Sequence, residues 1–570
     1  MEVMMKPIEF CDIFPRGELG ARSSLLFSRL EGQEYRPDRI FSIEGGGWPA
    51  DWEGRTILAL TLLEASTGKE SAYLDDIIDG VRCHLNERGY FGHICPGNEV
   101  DEQQLSGHSW LLRGLCEYYK LRRSPEVYDI ICGITENLFL PAGNAYDSYP
   151  AFRDTQGGAE SGSIAAKIGR WRLSTDTGCA YIPLDGLSAV YELSTEQPPA
   201  GALRSLDEKA IGDMLDVMII NFSFLDVCGL KLQTHATLTC CRGILRVYAV
   251  RLEKGLRVNT LLERVSDIFD TYLACGMSAA YANYNWFGRP EWTEPCAIID
   301  SFIVAMQLYF YKNETRYLSA AQKILYNGIG HAQRPNGGFG CDTCVGAAEG
   351  GVLSERNSVL GIHCPEAFWC CTMRGGEGLS RAAQYAYLYT DENTVTLPYL
   401  CASRARLRFG DYGLTIRQIT NYPNEGSVQF RISDYTVPGI IRLRVYLPEW
   451  AKNAAVSGAE AKISSDYAFI KLTPETSDVK LTFDIPLHTE TPEGDCNAKD
   501  KQLIYYGNLI LGTAADAEVS ANTEGLTECR TPQRGCTPLF RSGDTLLEPI
   551  NTLYLMPAEQ AYKSVYHILF

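Results

Sequence analysis

The chain has 570 residues, of which 45% are hydrophobic and 21% charged, and a formal net charge of −18 at pH 7. This length is too great for one ordinary core and predicts two or three domains. The acidic charge argues against nucleic acid and anionic membranes as main partners, because both bind positively charged surfaces. It suits a neutral ligand such as a sugar, and the 32 Tyr and 8 Trp residues supply aromatic faces for one.

The first residues, "MEVMMKPIEFCDIF", lack the basic and apolar regions of a secretion signal. No uninterrupted apolar run reaches the roughly 18 residues of a membrane span. The 20 cysteines do not have the spacing of a small disulfide-bonded domain. We therefore expect reduced thiols in a cytoplasmic protein, with some cysteines available to bind a metal.

From about residue 55 to 390 one theme repeats: an amphipathic helix, a polar turn, and a second helix that begins with Tyr-Leu or a similar pair. The first two copies are "ILALTLLEASTGKESAYLDDIIDGVRCHL" and "LRGLCEYYKLRRSPEVYDIICGITENLF", in which Tyr73 and Tyr128 occupy corresponding places. Later copies fall near multiples of the interval between these two tyrosines. Six such hairpins bury their inner faces by stacking or by closing. We expect a closed (α/α)6 barrel whose loops line one mouth, with an open helical solenoid as the alternative.

After about residue 394 the apolar period changes from 3.6 to 2, as in "VQFRI" and "VKLTFDI", and turn signals such as "YPNEG" separate the runs. This pattern predicts antiparallel β-sandwich material. The expected fold class is multidomain α+β. Residues 1–34 should form an N-terminal segment packing on the sandwich, 35–393 the barrel, and 394–570 the β-sandwich region.

The stretch "EAFWCCTMRGGEG" places Cys370 beside Cys371, and "TEPCAIID" places Glu294 just before Cys296, with one residue between them. Three thiolates and one carboxylate make a chemically suitable tetrahedral zinc set. The two pairs are far apart in the sequence, so a metal would tie neighbouring hairpins together. Buried cysteines and a helix-capping glutamate are the structural alternative.

A competing metal set exists in the same region. In "CDTC", Cys341 and Cys344 have C-x-x-C spacing and, together with the adjacent pair at 370 and 371, would make a structural zinc site of four thiolates. Spacing alone does not rank the two sets.

Eight histidines are few for this length, so each is informative. His108 in "QQLSGHSWLLRGL" and His235 in "LQTHATLTCC" both occur where a loop becomes a helix, and such ends would ring the barrel cavity. We expect both to bind sugar hydroxyls, although a capping or core role is the alternative. The Gly/Trp stretch "IEGGGWPADWEGR" suits a sugar platform through Trp52, or a plain turn.

These motifs together resemble glycoside hydrolase family 127, the β-L-arabinofuranosidases and their relatives. The resemblance lies in E-x-C at the start of a barrel helix, followed by a C-C pair at the family's usual distance along the chain. The stretches "SGHSWLLRGLCEYY", "QTHATLTCCRGILRVY", "RYLSAAQKILYNGI" and "IRLRVYLPEWA" are similar to further segments of that family in order and spacing. The resemblance covers roughly the chain from position 35 to position 570.

The resemblance implies an (α/α)6 catalytic barrel followed by β-sandwich domains. It implies one Zn²⁺ held by Glu294, Cys296, Cys370 and Cys371, with Cys370 as nucleophile and Cys371 as an anchoring ligand. It also implies a retaining hydrolysis through a thioglycosyl intermediate, since a thiolate is a strong nucleophile.

One departure from the family concerns the general acid/base. The family carries a glutamate upstream of the E-x-C glutamate, and at the corresponding position this chain has Ser278. The first carboxylate in this window is Glu291, which we take as the candidate proton donor. Glu349, Glu355 and Glu366 are the other loop carboxylates considered.

The sequence therefore predicts a retaining zinc-thiolate glycosidase acting on β-L-arabinofuranoside or a related plant-glycan sugar. A non-catalytic carbohydrate-binding or structural zinc protein on the same fold is the first alternative, because of the missing glutamate. A sugar isomerase or lyase is the second, since such barrels host several chemistries. A homodimer through the β-sandwich is a further expectation.

Overall fold

Helices dominate the first two thirds of the chain. The structure is a computed structural model and describes residues 5–42, 48–152, 164–256, 258–344, 352–353, 358–359, 362–363, 366–492, 500–514, 525–529, 537–557 and 566–570.

The long helices follow one another in pairs. They are α1 (Gly17–Leu30), α2 (Asp51–Thr67), α3 (Leu74–His84), α4 (Glu102–Arg122), α5 (Pro125–Ile134), α6 (Pro183–Leu193), α7 (Glu208–Ser223), α8 (Thr234–Glu253), α9 (Asn259–Cys275), α10 (Pro295–Lys312), α11 (Thr315–Lys323) and α12 (Cys371–Gln384). Shorter helical turns cover Phe10–Asp12, Gln33–Tyr35, Pro37–Ile40, Thr135–Phe139, Leu140–Ala142, Gly143–Ser148, Cys179–Tyr181, Ile324–Ile329, Gly330–Ala332 and Ile550–Leu555.

Six of these helices form a closed inner ring. Helices α2, α4, α6, α8, α10 and α12 each contact the next in this order, and α12 returns to contact α2. The ring closes tightly where α2 and α4 cross, because a Cβ atom added at Gly54 would collide with the backbone nitrogen of Leu111. The predicted (α/α)6 barrel is confirmed, and the open solenoid is wrong.

Buried ion pairs connect the inner helices. Arg113 of α4 pairs with Asp185 of α6 at 3.2 Å, and Arg242 of α8 pairs with Asp300 of α10 at 2.6 Å and with Glu377 of α12 at 2.5 Å. All of these side chains are at most 1% exposed. Because a buried charge that loses its partner costs about 3–5 kcal/mol, these pairs hold the inner helices in register.

Strands dominate the last third of the chain, after eight short ones in the helical part of the described ranges. They are β1 (Lys6–Pro7), β2 (Ile13–Pro15), β3 (Val100–Asp101), β4 (Ile164–Ile168), β5 (Trp171–Ser174), β6 (Val352–Leu353), β7 (Ser358–Val359), β8 (Ile362–His363), β9 (Leu388–Asp391), β10 (Thr394–Leu397), β11 (Ser403–Phe409), β12 (Tyr412–Thr420), β13 (Ser427–Ser433), β14 (Ile441–Tyr446), β15 (Lys452–Ser457), β16 (Ala461–Ile463), β17 (Tyr467–Leu472), β18 (Asp478–Asp484), β19 (Leu487–Glu490), β20 (Leu503–Tyr506), β21 (Leu509–Ala514), β22 (Thr527–Glu528), β23 (Phe540–Ser542), β24 (Thr545–Pro549) and β25 (Tyr566–His567).

Two six-stranded sheets follow the barrel, in the orders β1-β9-β10-β14-β17-β16 and β15-β18-β13-β12-β11-β2. Their neighbouring strands are antiparallel, as predicted, except for the parallel pair of β10 and β14. In β13, Val428, Phe430 and Ile432 are buried on one face, so the two-residue period predicts this strand's orientation correctly. A third sheet runs β19-β20-β21-β24-β23-β22, and β25 joins it at β21.

The N-terminal segment contacts both halves of the molecule. Strand β1 pairs with β9 and β2 pairs with β11, so each joins a different six-stranded sheet. Helix α1 contacts α12 and α2 of the inner ring. We propose that residues 1–34, 35–393 and 394–570 are the functional divisions of the chain.

The expectation of reduced thiols stays a prediction. Cys228 and Cys275 lie side by side, because the last residue of α9 lies against the turn that precedes α8. The other cysteines of the described ranges are free. None of the helices in those ranges is long and apolar enough to cross a membrane.

Candidate functional site

Three cysteine sulfurs meet where two inner helices begin. Cys296 lies in the first turn of α10, Cys371 is the first residue of α12, and Cys370 immediately precedes it. The Cys296 sulfur lies 3.1 Å from that of Cys370 and 3.5 Å from that of Cys371, and the latter two are 3.9 Å apart. We call these three residues the thiol cluster. Helix N-termini carry partial positive charge, which favours thiolate anions at this position.

The turn before Cys370 is held by the carboxylate of Glu366. This group accepts hydrogen bonds from Arg29 Nε at 2.9 Å, Asn336 Nδ2 at 2.6 Å and Thr372 Oγ1 at 2.9 Å. These bonds tie α12 and its preceding turn to α1 and to the loop around residue 336. Glu366 therefore positions the thiol-bearing turn, and its oxygens are occupied.

Glu294 and His235 complete the surroundings of the cluster. Glu294 precedes α10, its Oε1 lies 3.8 Å from His235 Nδ1, and its Oε2 is buried without a hydrogen-bond partner in the described part of the chain. His235, Glu294 and Cys296 each offer one ligand atom within 4.8 Å of the other two, as do the three cysteines. A buried carboxylate oxygen left unpaired beside three thiols has the donor chemistry that a zinc ion satisfies, so these residues fit a metal ion.

The thiols differ in acidity. The pKa of Cys370 is held well below its usual range, because the thiols of Cys296 and Cys371 donate hydrogen bonds to it and Arg55 and His235 lie nearby. Burial raises the pKa of Cys296 and of Cys371 well above the usual range. In the protein without metal, the negative charge of the cluster therefore concentrates on the Cys370 sulfur.

Arg55 is a cationic neighbour of the cluster that the sequence analysis missed. Its Nη1 lies 3.7 Å from the Cys296 sulfur, and its Nε donates to Asp51 Oδ2 at 2.8 Å. The guanidinium stacks over Trp110 at 4.2 Å. Asp51 and Arg55 both occur in "WPADWEGR", which the sequence analysis quoted only for its Gly/Trp character.

Aromatic rings stand beside the cluster. Trp52 contacts Phe368, close before Cys370 in the chain, with ring centroids 5.9 Å apart. Trp110 contacts the His235 ring at 5.6 Å. The position of Trp52 next to the thiol-bearing turn is compatible with a sugar platform, and its binding role stays a prediction. Residues 43–47 of the same Gly/Trp stretch lie outside the described ranges.

Several buried polar atoms near these residues have no hydrogen-bond partner within the described ranges. They are Asp51 Oδ1, Trp52 Nε1, Trp110 Nε1, Thr234 Oγ1, His235 Nε2, Glu294 Oε2 and both polar side-chain atoms of Asn285. Each such atom costs about 1–3 kcal/mol when it is buried unpaired. Their concentration around one cluster indicates a place where a polar ligand supplies the missing bonds.

Residues 394–486 match the family model described as "Beta-L-arabinofuranosidase, GH127 middle domain". Solved structures with the same fold include a GH127 β-arabinofuranosidase, 13% identical with a TM-score of 0.69, which covers 100% of this chain and 98% of its own. A structure described as a glycoside hydrolase is 12% identical with a TM-score of 0.68 and the same coverage. A GH127 β-L-arabinofuranosidase from Geobacillus stearothermophilus T6 is 14% identical with a TM-score of 0.64, covering 98% of this chain and 99% of that one.

The resemblance to glycoside hydrolase family 127 is confirmed. The sequence match covers residues 394–486, and the solved structures show that the fold is shared over the whole chain. A search of curated proteins finds no significant match.

Of the four residues that the family resemblance implies as ligands, Cys296, Cys370 and Cys371 form one group, and Glu294 forms a second group with Cys296 and His235. The Cys344 sulfur donates to the backbone oxygen of Asn283 at 3.5 Å and lies outside the thiol cluster. Cys341 is buried, and its thiol interacts with that of Cys371. The ligand roles of Glu294 and the thiol cluster stay predictions.

The candidate proton donors have different surroundings. Glu291 is 45% exposed and pairs with Arg289 at 2.5 Å in a surface ion pair. Glu366 is occupied by the three donors described above. Glu349 and Glu355 lie outside the described ranges. Ser278, at the position where the family carries its acid/base, is buried and has no carboxylate to offer.

His108 makes contacts that leave it no ring nitrogen for a sugar hydroxyl. Its Nε2 accepts from the Phe91 backbone N–H at 2.8 Å, and its Nδ1 donates to the Gln104 backbone oxygen at 2.7 Å. The side chain is fully buried. Its substrate-binding role is not supported by this geometry, because His108 ties the loop at residue 91 to α4.

We expect His108→Ala to lower the free energy of unfolding by about 2 kcal/mol at pH 7, because the buried Phe91 N–H loses its acceptor. Burial lowers the pKa of His108 to about 4, against about 6.5 in an unfolded chain. The folded state thus binds this proton more weakly, and the contribution of His108 is lost as pH falls from about 6.5 toward 4. Denaturant unfolding of both proteins at pH 7 and pH 4.5 checks this. A constant difference at both pH values would contradict it.

Proposed function

We propose that this protein is a retaining glycoside hydrolase that cleaves a furanoside such as a β-L-arabinofuranoside. One observation supports it most: the sulfurs of Cys296, Cys370 and Cys371 lie 3.1–3.9 Å apart beside the unpaired buried carboxylate oxygen of Glu294. The substrate class comes from the relatives, two of which are described as β-arabinofuranosidases.

Glu294, Cys296, Cys370 and Cys371 are the proposed zinc ligands. When bound, zinc would keep the Cys370 thiol ionised at neutral pH by stabilising its anion. Three thiolates and one carboxylate would supply the four donor atoms that zinc usually binds in proteins.

The chain's own residues would perform the substitution. The Cys370 sulfur forms a bond to the anomeric carbon while the bond to the departing oxygen breaks, and that oxygen takes up a proton. Water then attacks the same carbon, the carbon–sulfur bond breaks, and the thiolate is restored. Two displacements return the original anomeric configuration. His235 Nε2, buried and without a hydrogen-bond partner within the described ranges, is the proposed contact for a sugar hydroxyl.

The second candidate is a non-catalytic carbohydrate-binding or structural zinc protein. It is favoured by the serine at position 278, where the family carries its acid/base glutamate. A sugar isomerase or lyase has no comparable observation in its favour. We expect a carbohydrate ligand for each of these candidates except a purely structural zinc protein. A homodimer and a cytoplasmic location stay predictions.

We expect the purified protein to release nitrophenol from 4-nitrophenyl β-L-arabinofuranoside and to give β-L-arabinofuranose as the first product. Proton NMR at the start of the reaction reads the anomeric configuration before mutarotation. An α-configured first product would contradict the thioglycosyl route. Binding of L-arabinose without hydrolysis of any furanoside would favour the non-catalytic candidate.

A further inference from the structure

The proposed reaction needs a group that protonates the departing oxygen, and most described carboxylates near the thiol cluster are committed elsewhere. Glu291 forms a surface pair with Arg289. Glu366 anchors the turn before Cys370. Asp300 is fully buried and receives bonds from Thr239 and two arginines. Glu294 is itself a proposed ligand. Asp51 is a further carboxylate, and a hydrogen bond from Arg55 connects it to the cluster.

The side chain of Arg55 links Asp51 to the thiol cluster. Its Oδ2 accepts from Arg55 Nε at 2.8 Å, and Nη1 of the same guanidinium lies 3.7 Å from the Cys296 sulfur. Arg55 is 7% exposed and stacked over Trp110, so it has little freedom to move. Because a guanidinium is planar, it fixes the carboxyl in one position relative to the sulfurs.

The two carboxyl oxygens of Asp51 have different surroundings. Oδ1 is buried and has no hydrogen-bond partner in the part of the chain that the structure describes. Arg55 occupies Oδ2, which leaves Oδ1 as the oxygen that carries a proton when the carboxyl is neutral. The neighbouring Trp52, whose Nε1 is also unpartnered within the described residues, contacts Phe368 beside the thiol-bearing turn. Asp51 and Trp52 both lie at the start of α2, and Trp52 brings this end of the helix against the thiol-bearing turn.

The charges around Asp51 suit a group that both gives and takes a proton. Burial raises the pKa of Asp51 to about 6, and the guanidinium of Arg55 acts against this. A carboxyl that titrates near the working pH is the kind that serves as general acid and then as general base. A carboxyl of this kind beside a nucleophile is what retaining glycosidases require.

We propose that Asp51 is the general acid/base of the reaction, in place of the glutamate that this chain lacks at position 278. This inference rests on the proposed function. In the first displacement the Asp51 proton moves to the departing oxygen as the Cys370 sulfur bonds to the anomeric carbon. In the second, the Asp51 carboxylate takes a proton from the attacking water as the carbon–sulfur bond breaks. The proton and both electron pairs are then back where they began.

The test compares leaving groups. In Asp51→Asn, kcat/KM for a phenyl β-L-arabinofuranoside should fall by at least about 100-fold, because its poor leaving group needs the proton. The dinitrophenyl furanoside needs no proton, and its first displacement, read as a burst of dinitrophenol, should change by less than about 5-fold. In Asp51→Ala, added azide should restore turnover and yield β-L-arabinofuranosyl azide with retained configuration, since an anion can attack without a general base.

Glu291→Gln is the matched competitor, assayed with the same substrates. Zinc content and melting temperature are measured for each variant, which separates loss of the site from loss of proton transfer. Asp51 is not the acid/base if Glu291→Gln, rather than Asp51→Asn, shows the leaving-group dependence. The same holds if Asp51→Asn slows both substrates equally with zinc retained. In either case the glycosidase proposal stands. If the wild-type protein cleaves none of the furanosides, both proposals fall together.

Discussion

Cys370→Ser is expected to abolish turnover. A serine hydroxyl has a much higher pKa than a thiol and is a poor ligand for zinc, so it cannot supply the anion that attacks the anomeric carbon. We expect kcat/KM to fall by at least about 1,000-fold, equivalent to about 4 kcal/mol of transition-state stabilisation. The fold should survive, because Cys370 precedes α12 and is only partly buried. Steady-state kinetics and circular dichroism measure the two effects.

Trapping the covalent intermediate tests the same prediction directly. Treatment with a slow or mechanism-based furanoside should add one sugar mass to the peptide that contains Cys370. Cys371→Ser serves as control, because Cys371 should act mainly by retaining the metal. In this variant zinc content and stability should fall, and the loss of activity should follow from them. A sugar adduct on a carboxylate peptide, or full activity in Cys370→Ser, is the result that rejects Cys370 as nucleophile.

Cys296→Ser should lower zinc content and stability together. Cys296 is 0% exposed and its sulfur approaches both other sulfurs, so its loss removes a soft ligand from the centre of the set. We expect zinc affinity to fall by at least about 100-fold, equivalent to about 2.8 kcal/mol. Because bound metal contributes its binding free energy to the folded state, the melting temperature should fall as well. Elemental analysis and thermal unfolding, each with and without a chelator, measure these changes.

Cys344→Ser is the matched control. Its sulfur is also buried in the same region but contacts a backbone oxygen instead of the cluster. It should keep a zinc stoichiometry near one per chain. Full zinc retention in Cys296→Ser with loss in Cys344→Ser would move the metal to the C-x-x-C set.

The sequence predicts the barrel well because its signal is local and repeated. Tyr73 directly precedes α3 and Tyr128 lies near the start of α5, and these are the second helices of successive hairpins. Alternation in "VQFRI" likewise identifies β13 and its buried face. Closure of the ring is not visible in any one repeat, since it depends on α12 returning to α2, the first inner helix of the chain.

The sequence predicts the site residues that belong to a motif. It does not predict those that reach the site only through a long-range contact in the fold. Glu294, Cys296 and the adjacent pair were found through spacing and resemblance. Arg55 was not, because it lies 241 residues from the sulfur it approaches and nothing in its local sequence marks that contact. His108 was misassigned for a related reason: a histidine at a loop-to-helix boundary looks the same whether its ring faces a cavity or two backbone groups.

The pairing of the first strands with distant ones has a consequence for synthesis on the ribosome. Asp12 binds Arg408, 396 residues later, and β1 and β2 find their partners only at β9 and β11. At about 5–20 residues per second, the emerging N-terminal strands wait roughly 20–80 s for those partners. During that interval their edges are unsatisfied, and a chaperone that covers the nascent N-terminus would protect the chain when it is most prone to pair with another copy.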